Sequence, residues 1–295
     1  MNELKQQWRT LRATQPGLRI RDAALRLGVC EAALLETRIG DGVRRLKADV
    51  REICAALPGL GTVMSLVRNQ AAVHEKDIAF GRPAVSDDAA GFSGEDFSLE
   101  LAPAAIAHAF HVEDAGPKGR LRSIQLFDAA GDAAWKIYAR DKADQAAFER
   151  LVEGLAVDGS FAAVFIRPAA RAAAVESPPV TPGLQLQSLL ERAAEHALPL
   201  RLDVANHVVR QGHRGPVHRI VRMGSWLNVL DPGFDWHLDE NGLAATGIEA
   251  GDAGPRLVLR MKDGGEAAVL APDDAATDDQ KAMWHEIAGR ARRND

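Results

Sequence analysis

The sequence is poor in cysteine, in aromatic residues and in net charge, and each shortage is informative. Cys30 and Cys54 are the two cysteines in 295 residues; both lie in helix-patterned stretches, which predicts buried, reduced thiols instead of a disulfide scaffold. The formal net charge of −5 gives no global reason to expect a nucleic acid or an anionic membrane as partner. Aromatic residues make up only 5% of the chain, so a local concentration of them is notable.

Long apolar runs and short catalytic motifs are also missing. No apolar run approaches the roughly 18 residues that a membrane span needs, so we expect no transmembrane segment. The first ten residues, MNELKQQWRT, are polar and predict no signal peptide, which leads us to expect a cytoplasmic protein. The sequence has no GxSxG elbow, P-loop, GxGxxG opening a helix, HExxH or CxxC, so none of these signatures indicates its chemistry.

Apolar periodicity divides the chain into a helical start and two mixed segments. Residues 1–57 predict three helices, the third over 43–57. Residues 59–156 predict a strand pair turning near Asn69, a hairpin turning at DAAGD and a closing helix, completing a first half over 1–166. Residues 167–183 are rich in Ala and Pro and predict a linker.

The order of elements repeats, shortened, over 184–295. PLRLDVANHVVRQGH parallels TVMSLVRNQAAVHEK at an offset of 137, matching Asn206 to Asn69, and a second pair of stretches matches Gly265 to Gly131 at an offset of 134. We therefore predict an α+β fold of two tandem halves, each a large, mostly antiparallel sheet with packed helices. Because clefts form preferentially at domain interfaces, we expect a ligand between the halves.

The aromatic residues concentrate in WLNVLDPGFDWHLDE. Strand alternation places Leu227 and Val229 on one face, and Phe234, Trp236 and Leu238 together on a face of the next strand. Pro and Gly in DPGF favour a turn between them. The stretch predicts an amphipathic hairpin that packs a sheet, in preference to a site of chemistry.

A histidine- and arginine-rich stretch, VANHVVRQGHRGPVHR, lies just upstream. Its histidines are His207, His213 and His218, and their spacings match no zinc signature. One interpretation is a cationic strand edge. The other is a ligand site, since neutral imidazole binds zinc, copper and haem iron and the arginines suit an anion such as a propionate or phosphate.

The N-terminal helices offer a different alternative. RDAALRLGVCEAALLETRI has the order helix, short turn, helix that is typical of a helix-turn-helix. Its second helix, CEAALLETR, is acidic and apolar where a recognition helix carries basic or amide groups. The composition argues against nucleic acid as a partner.

Four stretches, in order along the chain, resemble the bacterial cytoplasmic haem-utilisation family, the haemin-degrading or haem-trafficking proteins of HemS, ChuS and PhuS type. They are RDAALRLGVCEAALLETRIG, LGTVMSLVRNQAAVHEK, RSIQLFDAAGDAAWKIY and HRGPVHRIVRMGSWLNVLDPGFDWHLDE. The resemblance implies a fold of two similar α+β halves, haem as ligand, and a haem transporter or haem oxygenase as partner.

The residues that hold haem in that family are not retained. The family's proximal histidine lies in a motif between the halves that has no counterpart here. Glu100, in FSLELAP, stands where the resemblance places the distal arginine, and Trp135 replaces a histidine. A carboxylate does not substitute for a guanidinium. The resemblance thus implies a retained scaffold with an altered pocket.

These observations leave three hypotheses. The first is an intracellular haem-binding or haem-trafficking protein, with His213 as iron ligand, His207 as the second candidate, Arg210 and Arg214 for the propionates and Arg68 as a further contact. The second is a family-derived binding or regulatory protein that no longer holds haem. The third is a haem-degrading enzyme, which the missing iron ligands disfavour because ring opening needs protein-held iron.

Overall fold

The computed structural model describes residues 2–86, 88–116, 119–157, 165, 185–252 and 254–291. The predicted linker, 167–183, lies outside these residues, and the division into halves at that point stays a prediction. The chain forms two compact units. The first comprises Met1–Ser65, Ile78–Ala90 and Ala102–Arg171; the second comprises Leu66–Asp77, Gly91–Leu101 and Ala172–Asp295.

Helices and strands together form an α+β fold. The α-helices of the described residues are α1 (Asn2–Thr14), α2 (Ile20–Leu27), α3 (Glu31–Glu36), α4 (Val50–Ala56), α5 (Gln145–Leu155), α6 (Leu186–Glu195) and α7 (Asp278–Ala291). The strands are β1 (Val43–Leu46), β2 (Thr62–Arg68), β3 (Ala72–Ala79), β4 (Ala84–Val85), β5 (Ala90–Ser93), β6 (Phe97–Leu101), β7 (His108–Gly116), β8 (Gly119–Phe127), β9 (Ala133–Ala139), β10 (Leu200–Ala205), β11 (Val209–Gly215), β12 (Ile220–Met223), β13 (Trp226–Asp231), β14 (Phe234–Asp239), β15 (Leu243–Glu249), β16 (Arg256–Met261) and β17 (Glu266–Pro272). Among the described residues, no helix combines the length and apolar character needed to cross a bilayer.

The first unit places its strands in the order β1-β7-β8-β9-β2, of which β2 contributes Thr62–Ser65. The predicted third helix over 43–57 is wrong at its start, because Val43–Leu46 is strand β1, paired antiparallel with β7. Val43 and Leu46 are buried by this pairing, so tertiary contacts override the helical spacing. Helix α4 begins only at Val50, where the Asp49 carboxylate accepts the amide hydrogen of Glu52 at 2.9 Å as an N-cap.

The second unit contains two sets of strands. One runs β15-β16-β17-β10-β11-β6 and the other β3-β14-β13-β12. Both contribute to one apolar core, which α6 and α7 complete with Leu190, Trp284 and Ile287. Strands β3 and β6 come from the first half of the sequence, so this unit is built from both halves of the predicted repeat.

Hydrogen bonds in the second unit reproduce the predicted repeat. The Asn69 amide donates to the carbonyl oxygen of Ala205 at 2.9 Å, and the Asn206 amide donates to that of Arg68 at 3.1 Å. Each asparagine Oδ1 also accepts two backbone amides of its own turn. Strand register agrees, since Phe97 faces His213 and Phe234 faces Lys76, positions related by the same offset of 137. The repeat is therefore structural and its two copies interlock.

The aromatic stretch forms the predicted hairpin. Leu227 pairs with Leu238 and Val229 with Trp236, and all four are buried in the core. Trp226 lies on the opposite face and is half-buried. The hairpin packs the sheet, as the alternation predicts, and Trp236 is its tryptophan in the core.

Candidate functional site

Strand β11 carries most of the predicted ligand residues, and its two faces separate them. It pairs antiparallel with β10 on one side and β6 on the other. Because successive side chains of a strand point to opposite faces, His213 shares a face with Gln211, whereas Arg210 and Arg214 share the other. The predicted set of one histidine and two arginines does not converge from this strand on a single ligand.

His213 belongs to a closed polar cluster. It is 7% exposed. Its Nδ1 lies 3.2 Å from Nζ of Lys76, which also pairs with the Asp96 carboxylate. Its ring stacks on Phe234 with centroids 3.9 Å apart and planes at 12°. Burial, followed by the Lys76 charge, lowers the pKa of His213 to about 4, so the ring is neutral near pH 7.

His74 is a second buried histidine close to His213, and its ring also contacts Phe234, with centroids 5.0 Å apart. It is fully buried, and its Nδ1 lies 2.7 Å from the side-chain nitrogen of Gln211. The same Gln211 nitrogen donates to the His74 carbonyl oxygen at 3.2 Å. Burial, then the proximity of His213 and Lys76, holds the pKa of His74 well below its ordinary value. Adjacent Glu75 is only half-buried, consistent with opposite faces for these two residues.

The opposite face of β11 carries a network of charges. Asp203 is 4% exposed, and its carboxylate lies 2.9 Å from Nη2 of Arg201 and 3.7 Å from Nη1 of Arg210. Arg210 also approaches Glu266 at 3.3 Å. Gly212 leaves space for Asp203, since a Cβ there would lie 2.3 Å from Oδ1 of that carboxylate. The hydrogen bond from Arg201 to Asp203 raises the pKa of Arg201.

The remaining predicted residues lie at turns or strand ends. His207 is exposed in the turn between β10 and β11. Arg68 is half-buried at the end of β2, where its carbonyl oxygen accepts from Asn206. Arg214 approaches Asp274 at 3.7 Å. The Arg68 backbone thus lies beside the turn that holds His207, at the start of the strand that carries His213.

Two positions where the family resemblance predicts an altered pocket have different environments. Trp135 is fully buried, and its indole nitrogen donates to the Ser65 hydroxyl at 2.8 Å. Glu100 is exposed on β6 and lies opposite Arg210 in the β6–β11 register. Trp135 is therefore a core residue, whereas Glu100 belongs to the charged face.

The candidate residues differ in whether their chemistry and surroundings fit haem. His213 does not fit as it stands, because Nδ1 is engaged, Phe234 covers a ring face and the side chain is buried. Arg210 and Arg214, whose side chains are 39% and 32% exposed, fit carboxylates. In the part of the chain that is described, no three His, Cys, Asp or Glu side chains form a group able to hold a metal ion.

Lys76, Gln211 and Asp203 are not among the site residues that the sequence predicts. The repeat carried a signal for the first two. Lys76 is at the position equivalent to His213, and Gln211 is at that equivalent to His74, each 137 residues apart. For Asp203 the signal in the sequence is Gly212, which lies opposite it on the neighbouring strand.

Comparison with known proteins identifies relatives over nearly the whole chain. Hemin transport protein HmuS of Yersinia pestis is 26% identical, covering 97% of this chain and 96% of its own. The crystal structure of holo-PhuS, a heme-binding protein from Pseudomonas aeruginosa, matches with a TM-score of 0.84 and 29% identity over 97% of both chains. The heme degrading enzyme ChuS of Escherichia coli O157:H7 matches with a TM-score of 0.86 and 25% identity over 98% of both chains.

A sequence model for the haemin-degrading HemS.ChuX domain matches residues 28–155 and 167–246. These ranges include both interlocking turns and the whole of β11. They cover well over half of the chain. The protein therefore belongs to the HemS.ChuX domain family.

Proposed function

We propose that this protein binds haem and serves intracellular haem utilisation, with a cytoplasmic location. The observation that carries the proposal is the match to the heme-binding protein PhuS along 97% of both chains, with a TM-score of 0.84. The relationship to a hemin transport protein supports trafficking in particular. A haem transporter or a haem oxygenase as partner stays a prediction from the family resemblance.

For the ligand contacts, we propose the charged face of β11 and the turn before it. Arg210 and Arg214 would pair with the propionates, because guanidinium groups bind carboxylates through parallel hydrogen bonds. Their present partners lie 3.3 to 3.7 Å away, longer than the roughly 2.7–2.9 Å of a tight charge-assisted bond. A propionate that displaced these carboxylates from Arg210 and Arg214 would therefore replace only weak ion pairs. Bound haem would supply the redox and dioxygen chemistry of its iron.

Exposed His207 is the better of the two histidine candidates for the iron. Its side chain needs no displacement from a core, whereas His213 is held by Lys76 and Phe234. Arg68, whose carbonyl oxygen accepts from Asn206 in the same turn, would be the further contact for a ligand that reaches His207. His213 as iron ligand requires the cluster around it to open, and the following experiment discriminates between the two.

Titration of the purified chain with haem, followed by visible absorbance, tests the proposal. We expect a saturable Soret band that shifts in His207→Ala and stays unchanged in His218→Ala, a matched exposed histidine. The double variant Arg210→Ala/Arg214→Ala should bind about tenfold more weakly, a loss of about 1.4 kcal/mol.

Other outcomes assign the function differently. A shift on His213→Ala, with none on His207→Ala, would transfer the iron to the buried cluster. No saturable band in the wild-type protein would favour the family-derived binding or regulatory protein that has lost haem. Decay of the band on adding an electron donor would favour the haem-degrading enzyme.

A further inference from the structure

The two buried histidines of the second unit share an unusual arrangement. Each has a side-chain nitrogen donor beside Nδ1: Lys76 Nζ for His213 at 3.2 Å, and Gln211 Nε2 for His74 at 2.7 Å. Within each pair the two residues occupy equivalent positions of the repeat. The interlocked copies thus place a hydrogen-bond donor from one copy against a histidine from the other, twice.

The chemistry of lysine determines the tautomer of His213. An ammonium group has three donors and no acceptor, so Nδ1 of His213 accepts the hydrogen bond. A neutral imidazole carries one proton, which must then lie on Nε2. The Asp96 carboxylate pairs with the same ammonium and compensates its charge, which keeps Lys76 a donor in this buried place.

Gln211 determines the tautomer of His74 in the same way. Its side-chain nitrogen contacts both Nδ1 and the carbonyl oxygen of His74. The carbonyl oxygen only accepts, so the Gln211 atom beside it is the amide nitrogen and not the amide oxygen. That nitrogen also donates to Nδ1, and the proton of His74 lies on Nε2.

We propose that Lys76 and Gln211 are positioning residues that hold His213 and His74 in the Nε2–H tautomer and so withhold both from metal ligation. A histidine binds a metal through an unprotonated nitrogen. In this cluster Nδ1 is occupied by a donor and Nε2 carries the proton. Reversing the tautomer would need a hydrogen-bond donor beside Nε2, and the described residues place none against either of the two buried Nε2 atoms.

This inference concerns the free protein and does not depend on haem binding. Its test is long-range ¹H–¹⁵N correlation NMR of the full chain labelled at histidine nitrogens, at pH 7 without haem. We expect a protonated Nε2 and an unprotonated Nδ1 for His74 and His213. Exposed His218 and His285 serve as controls and should average between tautomers. A protonated Nδ1 on His213 or His74 would overturn the proposal.

Two variants test the cause. Lys76→Met removes the donor with little change in volume and should let His213 populate both tautomers. Gln211→Glu replaces the donor by an acceptor and should transfer the His74 proton to Nδ1. Unchanged tautomers in folded variants would mean that these residues do not fix them. If Lys76→Met does not fold, Gln211→Glu and the wild-type spectrum still decide.

Paramagnetic Ni²⁺ tests the consequence for metal binding. Stoichiometric Ni²⁺ added to the wild-type protein should leave the signals of His74 and His213 in place. Their selective broadening at that stoichiometry would show ligation and contradict the proposal. Because neither measurement uses haem, a failed haem titration would refute the proposed function and leave this inference intact, and the reverse also holds.

Discussion

Replacing Asn69 by alanine should destabilise the second unit far more than the equivalent change at Asn206. Asn69 is 7% exposed, and its amide donates to the carbonyl oxygens of Ala205 at 2.9 Å and Ala267 at 2.7 Å. Its Oδ1 accepts the amides of Ala71 and Ala72, both fully buried. The substitution leaves these two backbone amides and two carbonyl oxygens without their hydrogen-bond partner. They are buried where water has little access.

The size of the loss follows from those groups. A buried donor without a partner costs about 1–3 kcal/mol, so two orphaned amides predict a loss of about 3 kcal/mol in the free energy of unfolding. Asn206 makes the corresponding bonds, but it is half-buried, so water replaces part of what alanine removes. We expect about 1 kcal/mol there.

Urea unfolding followed by tryptophan fluorescence measures both variants, since Trp236 and Trp284 lie in the core of this unit. Asn69→Asp is the matched comparison: it keeps an acceptor for the turn amides but sets a buried carboxylate against the carbonyl oxygens of Ala205 and Ala267. Its loss should therefore be at least that of Asn69→Ala. Equal losses for Asn69→Ala and Asn206→Ala would refute the argument that burial sets the difference.

Three further predictions concern charge and packing. The pKa of His213 is about 4 in the folded chain and about 6.5 unfolded, so its neutral form stabilises the fold above pH 6.5. Up to about 3 kcal/mol is lost as pH falls from 6.5 towards 4, and acid unfolding of His213→Gln should lack this component. Lys136→Met should cost about 3–5 kcal/mol in thermal or urea unfolding by stranding its buried partner Glu31, and Glu31→Leu in the same chain should recover most of it. Gly212→Ala should cost about 1–3 kcal/mol by displacing Asp203; an unfolding midpoint unchanged from wild type would contradict the close approach seen there.

The sequence predicted the repeat well because its signals are local and doubled. Asn69 and Asn206 each organise a turn through their own Oδ1, and that chemistry is visible at both positions. Gly265 was matched to Gly131, but the left-handed residue of the second hairpin is Gly264, an error of one position. Val43–Leu46 was assigned to a helix because its pairing with β7 depends on residues about 65 positions away. A pairing between residues so far apart in the chain has no signal in the local sequence.

The candidate site was harder to predict because contact partners decide it. From the sequence, His213 is an attractive candidate ligand, and the residues around it in the chain are cationic. Its actual neighbours, Lys76 and Phe234, come from strands far apart in the chain. Strand alternation alone could have separated His213 from Arg210 and Arg214, because odd and even positions of one strand point to opposite faces. The tautomer proposed for His213 follows from the positions of the Lys76 and His213 side chains, which strand alternation does not give.

Strand register also changes how the altered pocket is interpreted. The family resemblance places Glu100 where an arginine is expected, which in sequence looks like the loss of a guanidinium. In the structure Arg210 lies directly opposite Glu100, on the adjacent strand and the same face. Neighbouring strands are about 4.8 Å apart, a distance that an arginine side chain spans easily. The charged face therefore retains a guanidinium one strand away from the expected position, with Glu100 beside it. Under the proposed function, Arg210 would therefore meet a propionate from the strand next to Glu100, because position 100 itself supplies no guanidinium.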